Sequence, residues 1–288
     1  MRVIAVWVLL GLFYVLPWIN IAGKQSVLFD LPARKFYIFG FTFWPQDFVY
    51  LALLLITAGL TLFFVTALAG RLWCGYACPQ TVWTDVFIRI ERWIEGDRAK
   101  RMKLDKAPWS AEKVVRKSSK QLVWILFALW TGFTFVGFFS PIRDLALSVV
   151  SFSLGPWETF WGIFYSVATY GNAGFLREQV CKYMCPYARF QSAMFDKDTL
   201  IISYDEERGE PRGGRRKKDK RADTGLGDCI NCTLCVQVCP TGIDIRNGLQ
   251  YECIACAACI DVCDQVMDLS LIHISEPTRL ESKSRMAG

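Results

Sequence analysis

GDCINCTLCVQVCPTGIDIRNGLQYECIACAACIDVC, residues Gly227–Cys263, carries eight of the chain's twelve cysteines as two copies of one string. The copies are Cys229-x2-Cys232-x2-Cys235-x3-Cys239-Pro240 and Cys253-x2-Cys256-x2-Cys259-x3-Cys263. This spacing belongs to a pair of 4Fe-4S clusters of the bacterial ferredoxin type: three close thiolates wrap one corner of a cubane, and the displaced fourth cysteine serves the other cluster. The expected sets are therefore Cys229, Cys232, Cys235 and Cys263 for one cluster, and Cys253, Cys256, Cys259 and Cys239 for the other. Zinc ribbons use two C-x2-C knuckles and lack the trailing fourth cysteine, so a zinc site or disulfide knot fits less well. The segment predicts one-electron chemistry.

Most of what precedes this domain is apolar. The chain is 53 % hydrophobic with eleven tryptophans, and its mean hydropathy is positive. A membrane span needs roughly 20 apolar residues at the helical rise. Four stretches read as spans: about Val3–Ile21, Phe48–Ala69, Leu122–Phe139 and Trp157–Phe175. In the fourth, Gly162, Gly171 and Gly174 suggest close helix packing. Trp44, Trp73, Trp124 and Trp157 lie near expected boundaries, where amphipathic rings prefer the interface. Asp47 reads as the N-cap of the second span.

Lysine and arginine counts orient these spans. The loop 70–121 holds twelve and the segment 177–221 another twelve, against three in 20–47 and one, Arg143, in 140–156. The positive-inside bias places the N-terminus, the 70–121 loop and everything after the fourth span in the cytoplasm, with lipid around the helices. Reducing conditions there disfavour structural disulfides. The net charge of +6 follows from this asymmetry, and nucleic acid is not needed to explain it. The expected fold class is an α-helical integral membrane protein of four spans with a cytoplasmic 2×(4Fe-4S) ferredoxin domain.

The other four cysteines form a second repeat. Cys74-Gly-Tyr-Ala-Cys78-Pro79 follows the second span and Cys181-Lys-Tyr-Met-Cys185-Pro186 the fourth, 107 residues apart. Both read C-x-Y-x-C-P. Where the backbone is helical, cysteines at i and i+4 share a face, and each proline points to a break or a fresh helix start. Four thiols at one membrane face suit a soft metal ion, a third cluster or a redox-active dithiol site, with buried apolar packing as the bland alternative. Met184, inside the second motif, is a candidate thioether ligand, although methionine at such a place more often packs.

Absences narrow the chemistry. His273 is the single histidine, so bis-histidine haem, facial-triad iron and histidine-rich copper sites have no ligands. No G-x-G-x-x-G or P-loop string supports a nucleotide or flavin. Arg208–Arg221 (RGEPRGGRRKKDKR) reads as a solvated linker with anionic lipid contact as the alternative. The alternating charges Glu91, Arg92, Glu95, Asp97 and Arg98 read as an exposed helix face. The expected organisation is a helix pair over 1–69, a cytoplasmic loop over 70–121, a second helix pair over 122–200, a basic linker over 201–226, the ferredoxin domain over 227–268, and a non-native tail over 269–288.

With both cysteine repeats, the chain resembles the CcoG/FixG/RdxA accessory proteins of cbb(3)-type cytochrome c oxidase. The stretches that carry the likeness are WPQDF at Trp44–Phe48, GRLWCGYACPQTVWTD at Gly70–Asp85, EQVCKYMCPYARFQSAMFD at Glu178–Asp196, and Gly227–Asp261. The resemblance implies a bacterial inner-membrane iron–sulfur protein needed to mature the oxidase, with a cytoplasmic electron donor, and copper chaperones or transporters and the oxidase as partners. It implies reduction of Cu(II) to Cu(I), and it matches Cys74, Cys78, Cys181 and Cys185 to the family's C-x3-C-P motifs and the other eight cysteines to its cluster ligands. Two departures stand out. Cys263 precedes Asp264 where ferredoxins usually have proline, and in place of the family's further span and immunoglobulin-like domain the chain runs into LSLIHISEPTRLESKSRMAG, which reads like translated adapter sequence; the start is expected to be short as well. Two alternatives remain open beside a cupric reductase: a polyferredoxin subunit of a quinol-linked respiratory chain, and a thiolate copper carrier.

Overall fold

The computed structural model describes residues 2–21, 23–196, 198–214, 225–269 and 278–281. They gather into two units, Met1–Thr57 with Pro79–Arg177, and Ala58–Cys78 with Glu178–Gly288. All twelve cysteines belong to the second unit.

Helix α1 (Arg2–Val15) is followed by a 3-10 turn over Leu16–Trp18, where Pro17 removes a backbone donor. The apolar helix thus ends short of Ile21. Two small antiparallel sheets follow where the sequence suggested only a loop: β1 (Asn20–Ile21) with β2 (Lys24–Gln25), and β3 (Val27–Asp30), β4 (Lys35–Ile38) and β5 (Phe41–Phe43) in sequential order. The buried amide of Gln25 fixes them, donating to the Gly137 carbonyl at 2.6 Å and accepting from the Ile142 N–H at 3.0 Å.

Helix α2 (Phe48–Ala69) follows a 3-10 turn in which Asp47 Oδ2 accepts from the Trp44 N–H at 2.9 Å. Asp47 therefore closes the entry turn from inside it and is not the N-cap. Gly70, with φ +57°, ends the helix in the left-handed conformation that suits glycine after a helix terminus. Pro45–Ala69 is long and apolar enough to cross a membrane, and none of its hydrophobic window is buried in the protein. A continuous apolar surface of this size marks a lipid or partner contact.

Helices α3 (Leu72–Tyr76), α4 (Pro79–Glu95) and α5 (Arg98–Lys106) precede the second membrane-length helix, α6 (Ala111–Val136). Ser110 caps α6 by accepting from the Lys113 N–H at 3.3 Å. The helix therefore begins eleven residues before the apolar run, and its first turns are cationic. Helix α7 (Ile142–Val150) and α8 (Pro156–Thr169) follow, and α8 runs on as a π-helical segment, Tyr170–Leu176. Helices α6 and α8 approach at small residues: a Cβ on Gly132 would collide with Ser166 Oγ and stand 2.5 Å from the Gly162 carbonyl.

Two expectations about this unit are corrected. Trp124 is a core residue, 2 % exposed, packed with Phe87, Ala128 and Ala173 and donating Nε1–H to the Phe87 carbonyl at 3.2 Å. Glu91 and Glu95 are also buried, not on a solvated face. Lys120 pairs with Glu95 at 2.9 Å and with Glu91 at 3.5 Å, Arg177 with Glu91 at 3.0 Å, and Lys117 with Glu95 at 3.1 Å. Alternating charge along α4 does not distinguish water from cations supplied by α6 and the π segment.

In the second unit, α9 (Pro186–Ala193) leads to β6 (Ile201–Tyr204) and the short α10 (Glu206–Gly209). The 201–226 linker needs correction at its start: Ile202 is buried against Ile245 and Ile260, and Arg208 pairs with Asp228 at 2.7 Å. Residues 215–224 of that linker lie outside the described residues. The ferredoxin segment adds α11 (Leu234–Val238) and α12 (Ala258–Leu269). From the tail, β7 (Thr278–Glu281) pairs antiparallel with β6, from Ile201 opposite Glu281 to Tyr204 opposite Thr278. A backbone ladder needs no apolar alternation, so a segment that reads as a non-native tail still pairs through its main chain. The rest of 270–288, including His273, lies outside the described residues.

Candidate iron–sulfur and thiol sites

In each ferredoxin loop the backbone repeats one unusual conformation. Asn231 (φ +55°) and Thr233 (φ +60°) flank Cys232, and Ala255 (φ +52°) and Ala257 (φ +59°) flank Cys256. Positive φ is uncommon for residues other than glycine. Recurring at matched positions 24 residues apart, it shows that the two loops use one backbone form.

Cys229, Cys232, Cys235 and Cys263 line one cavity, closed by Leu234, Ile245 and Met267. Burial pushes the Cys263 thiol up to about 12, and the neighbouring Cys232, Cys229 and Cys235 add to the effect. Arg246 stands on this side, held by Asp244 (Nε to Oδ1 2.8 Å, Nη2 to Oδ2 2.7 Å), and eases deprotonation of Cys235, whose thiol burial otherwise raises.

The second group is equally local. Burial raises Cys259 to about 12, with Cys253, Cys256 and Cys239 as its thiol neighbours, and raises Cys253 to about 11 beside Cys256 and Cys239. A thiolate in such apolar surroundings is costly unless a cation offsets it. Two four-thiol groups fit 4Fe-4S clusters in donor type and number.

The C-x3-C-P motifs fold as a repeat. The Cys78 N–H donates to the Trp73 carbonyl at 2.9 Å, and the Cys185 N–H to the Val180 carbonyl at 2.8 Å. Each is a five-residue return, and each is followed by a proline that opens a helix, Pro79 for α4 and Pro186 for α9. Proline suits that first position because its missing N–H would be unpaired there anyway.

The four thiols stand close enough to act on one another. Burial raises Cys74 to about 12, helped by Cys78, Cys181 and Cys185 and opposed by Arg71; burial raises Cys181 to about 11, with Cys78 and Cys185 adding to it. Among the described residues no three cysteine, histidine or acidic side chains stand in a grouping that could hold a metal ion as they are placed. None of the twelve cysteines, all described, is in a disulfide. Met184 is 61 % exposed.

Polar residues without a role in the sequence reading surround these thiols. Cys74 Sγ donates to Gln191 Oε1 at 3.1 Å, and the fully buried Gln191 reaches Thr66 Oγ1 at 3.4 Å. Arg71, 4 % exposed, donates to the Ala188 carbonyl. Arg71 and Gln191 lie inside the two thiol-bearing stretches, but cysteine spacing alone gives no reason to single them out.

Fold and site together define an iron–sulfur electron-transfer protein of the double 4Fe-4S class with membrane-length helices. A family model described as a 4Fe-4S dicluster domain matches residues 176–276, and one described as a 4Fe-4S binding domain matches 51–100. The chain is 47 % identical over 267 residues to nitrogen fixation protein FixG of Rhizobium meliloti, covering 91 % of this chain and 51 % of that protein. It is 46 % identical to protein RdxA of Cereibacter sphaeroides over 272 residues, covering 91 % and 56 %, and 46 % identical to protein RdxB of the same organism. The chain belongs to the FixG/CcoG family. It spans about half the length of the curated relatives it matches. No solved structure matches it.

Proposed function

We propose that this chain is a four-span protein of the bacterial inner membrane that reduces Cu(II) to Cu(I) for assembly of a cbb(3)-type oxidase, with its iron–sulfur domain in the cytoplasm. The carrying observation is that all twelve cysteines fall in one unit, where Cys74 packs against Ile254, Cys256 and Ala258 of a ferredoxin loop.

Two 4Fe-4S clusters, held by Cys229, Cys232, Cys235 and Cys263 and by Cys239, Cys253, Cys256 and Cys259, would supply one-electron storage. The thiols of Cys74, Cys78, Cys181 and Cys185 offer the substrate a soft donor set. Soft sulfur favours Cu(I) over Cu(II), so binding there itself assists reduction. Each Cu(II) gains one electron, and a low-potential cytoplasmic donor loses one. Gln191 orients the Cys74 thiol through its hydrogen bond. The outward apolar surface of α2 and the lysine and arginine bias of 70–121 and 177–221 support the membrane topology.

The test uses detergent-solubilised chain reduced with dithionite, desalted and mixed with Cu(II) and a Cu(I)-specific chelator. Stoichiometric Cu(I) should appear, and should be lost without the four membrane-edge thiols. The quinol-linked reading has one observation in its favour, an apolar crevice of about 780 Å³ in the first unit lined by Trp157, Trp161, Tyr165 and Phe139. Quinol oxidation by the same preparation with no response to copper would put that reading first.

A further inference from the structure

We infer that Arg71 is a positioning residue that serves as a shared counter-charge, set between the C-x3-C-P thiols and the Cys239, Cys253, Cys256 and Cys259 group, and that it raises the reduction potential of that group's cluster alone. The inference rests on the two-cluster part of the proposed function and is independent of copper.

The geometry begins at Gly75. Its N–H donates to the Arg71 carbonyl at 3.1 Å, and a Cβ at Gly75 would stand 2.7 Å from the Ile254 carbonyl oxygen and 3.0 Å from Cys256 Cα. Backbone thus meets backbone between the first thiol motif and the Cys253–Cys256 loop, with Cys74 packed beside the contact. Arg71 lies one helical turn before Gly75 and donates to the carbonyl of Ala188, three residues after Cys185. This pins the guanidinium between the two thiol motifs. Its Nε is buried and has no hydrogen-bond partner.

A buried cation with an unused donor is costly unless negative charge faces it. Arg71 favours the thiolate forms of Cys74, Cys181 and Cys253. Bound as ligands, the sulfurs of Cys253 and Cys256 on one side of the Gly75 contact and of Cys74 on the other would carry that negative charge. Cys235, in the other ferredoxin group, has Arg246 as its leading cation. A positive charge close to a cluster stabilises the added electron, so each ferredoxin group is tuned by its own arginine.

The experiment is a redox titration of both clusters, followed by electron paramagnetic resonance, on the full detergent-solubilised chain, with Cys239→Ser used to assign the signals. In Arg71→Gln the midpoint of the Cys239/Cys253/Cys256/Cys259 cluster should fall, with its equilibrium constant for reduction lowered about tenfold, or about 59 mV for one electron. The Cys229/Cys232/Cys235/Cys263 midpoint should stay in place. Arg71→Lys keeps the charge on a displaced ammonium and should shift the same signal less. Two unmoved midpoints in Arg71→Gln, or equal shifts in both, would overturn the assignment. If Arg71→Gln does not assemble, Arg71→Met, which removes the charge and keeps an unbranched stem, takes its place, and an unmoved midpoint there overturns the assignment. A parent chain without two clusters would remove the two-cluster reading and this inference together, whereas two clusters with no copper chemistry would leave the inference standing.

Discussion

Cys78 and Cys185 close their motifs with the same turn: each donates its N–H to the carbonyl five residues earlier, Trp73 at 2.9 Å and Val180 at 2.8 Å. The internal repeat is therefore one of backbone conformation as well as of cysteine spacing. Each turn is followed by a helix whose first residue is proline, so each motif presents one thiol from a short helical turn and the other from the break before the next helix. Such a matched pair is suited to act as one site.

If the four thiols form one site, Cys74→Ala, Cys78→Ala, Cys181→Ala and Cys185→Ala should each impair copper binding or reduction. The quadruple variant should be little worse than the worst single one, since groups that act as a unit are non-additive. Iron and sulfide content should stay near the parent value. Parent-like Cu(II) reduction by all four single variants would make these cysteines structural.

The parent chain should carry about eight iron atoms in two clusters. Cys239→Ser should damage the cluster of Cys253, Cys256 and Cys259, the thiols beside which Cys239 stands, and leave the group containing Cys263 largely intact. Electron paramagnetic resonance of the reduced variant reads this directly. Damage confined to the Cys229–Cys235 side would show that the fourth ligand does not cross over.

Topology is checked with reporter fusions after Arg101 and after Gly225. The charge bias predicts activity at both sites only with a cytoplasmic reporter. A periplasmic signal at either site would reverse the orientation and remove the reducing environment on which the thiol chemistry depends.

The carboxylate network in the first unit gives a stability prediction. Glu95 is 1 % exposed and Lys120 8 %, so Glu95→Ala leaves a buried ammonium short of a partner, at a cost of about 3–5 kcal/mol. Thermal unfolding in detergent should register this as a lowered midpoint. Burial pushes the Glu91 carboxyl up, but Arg177, Arg101 and Lys120 outweigh it and hold the group below its ordinary value. A depressed carboxylate stabilises fully above its unfolded value and loses that contribution as pH falls through the folded one. The unfolding midpoint should therefore drop below about pH 4, and Glu91→Gln should flatten that acid limb. An unchanged acid limb in Glu91→Gln would show that other groups control it.

Cysteine spacing made much of the site legible, because a cubane accepts few arrangements of close thiolates and a proline after each C-x3-C sets a helix start. Hydropathy likewise announced α2, whose apolar residues follow one another without a break. Linear patterns end where partners come from distant segments. Glu91 and Glu95 have the alternating neighbours of an exposed helix, yet Lys120 and Arg177 meet them in the interior. Ile201–Tyr204 lay next to a basic tract that suggested a linker, and only packing of Ile202 on Ile245 and Ile260 placed it in the ferredoxin unit. The sequence by itself determined the number of thiols and their grouping into two strings of four and two pairs, since those follow from local spacing. Tertiary structure alone decided that Gly75 docks on Ile254 and Cys256 and that Arg71 is buried between the thiol motifs. Those contacts join residues more than a hundred positions apart, and van der Waals fit and charge desolvation act on distance in space, which spacing along the chain does not encode.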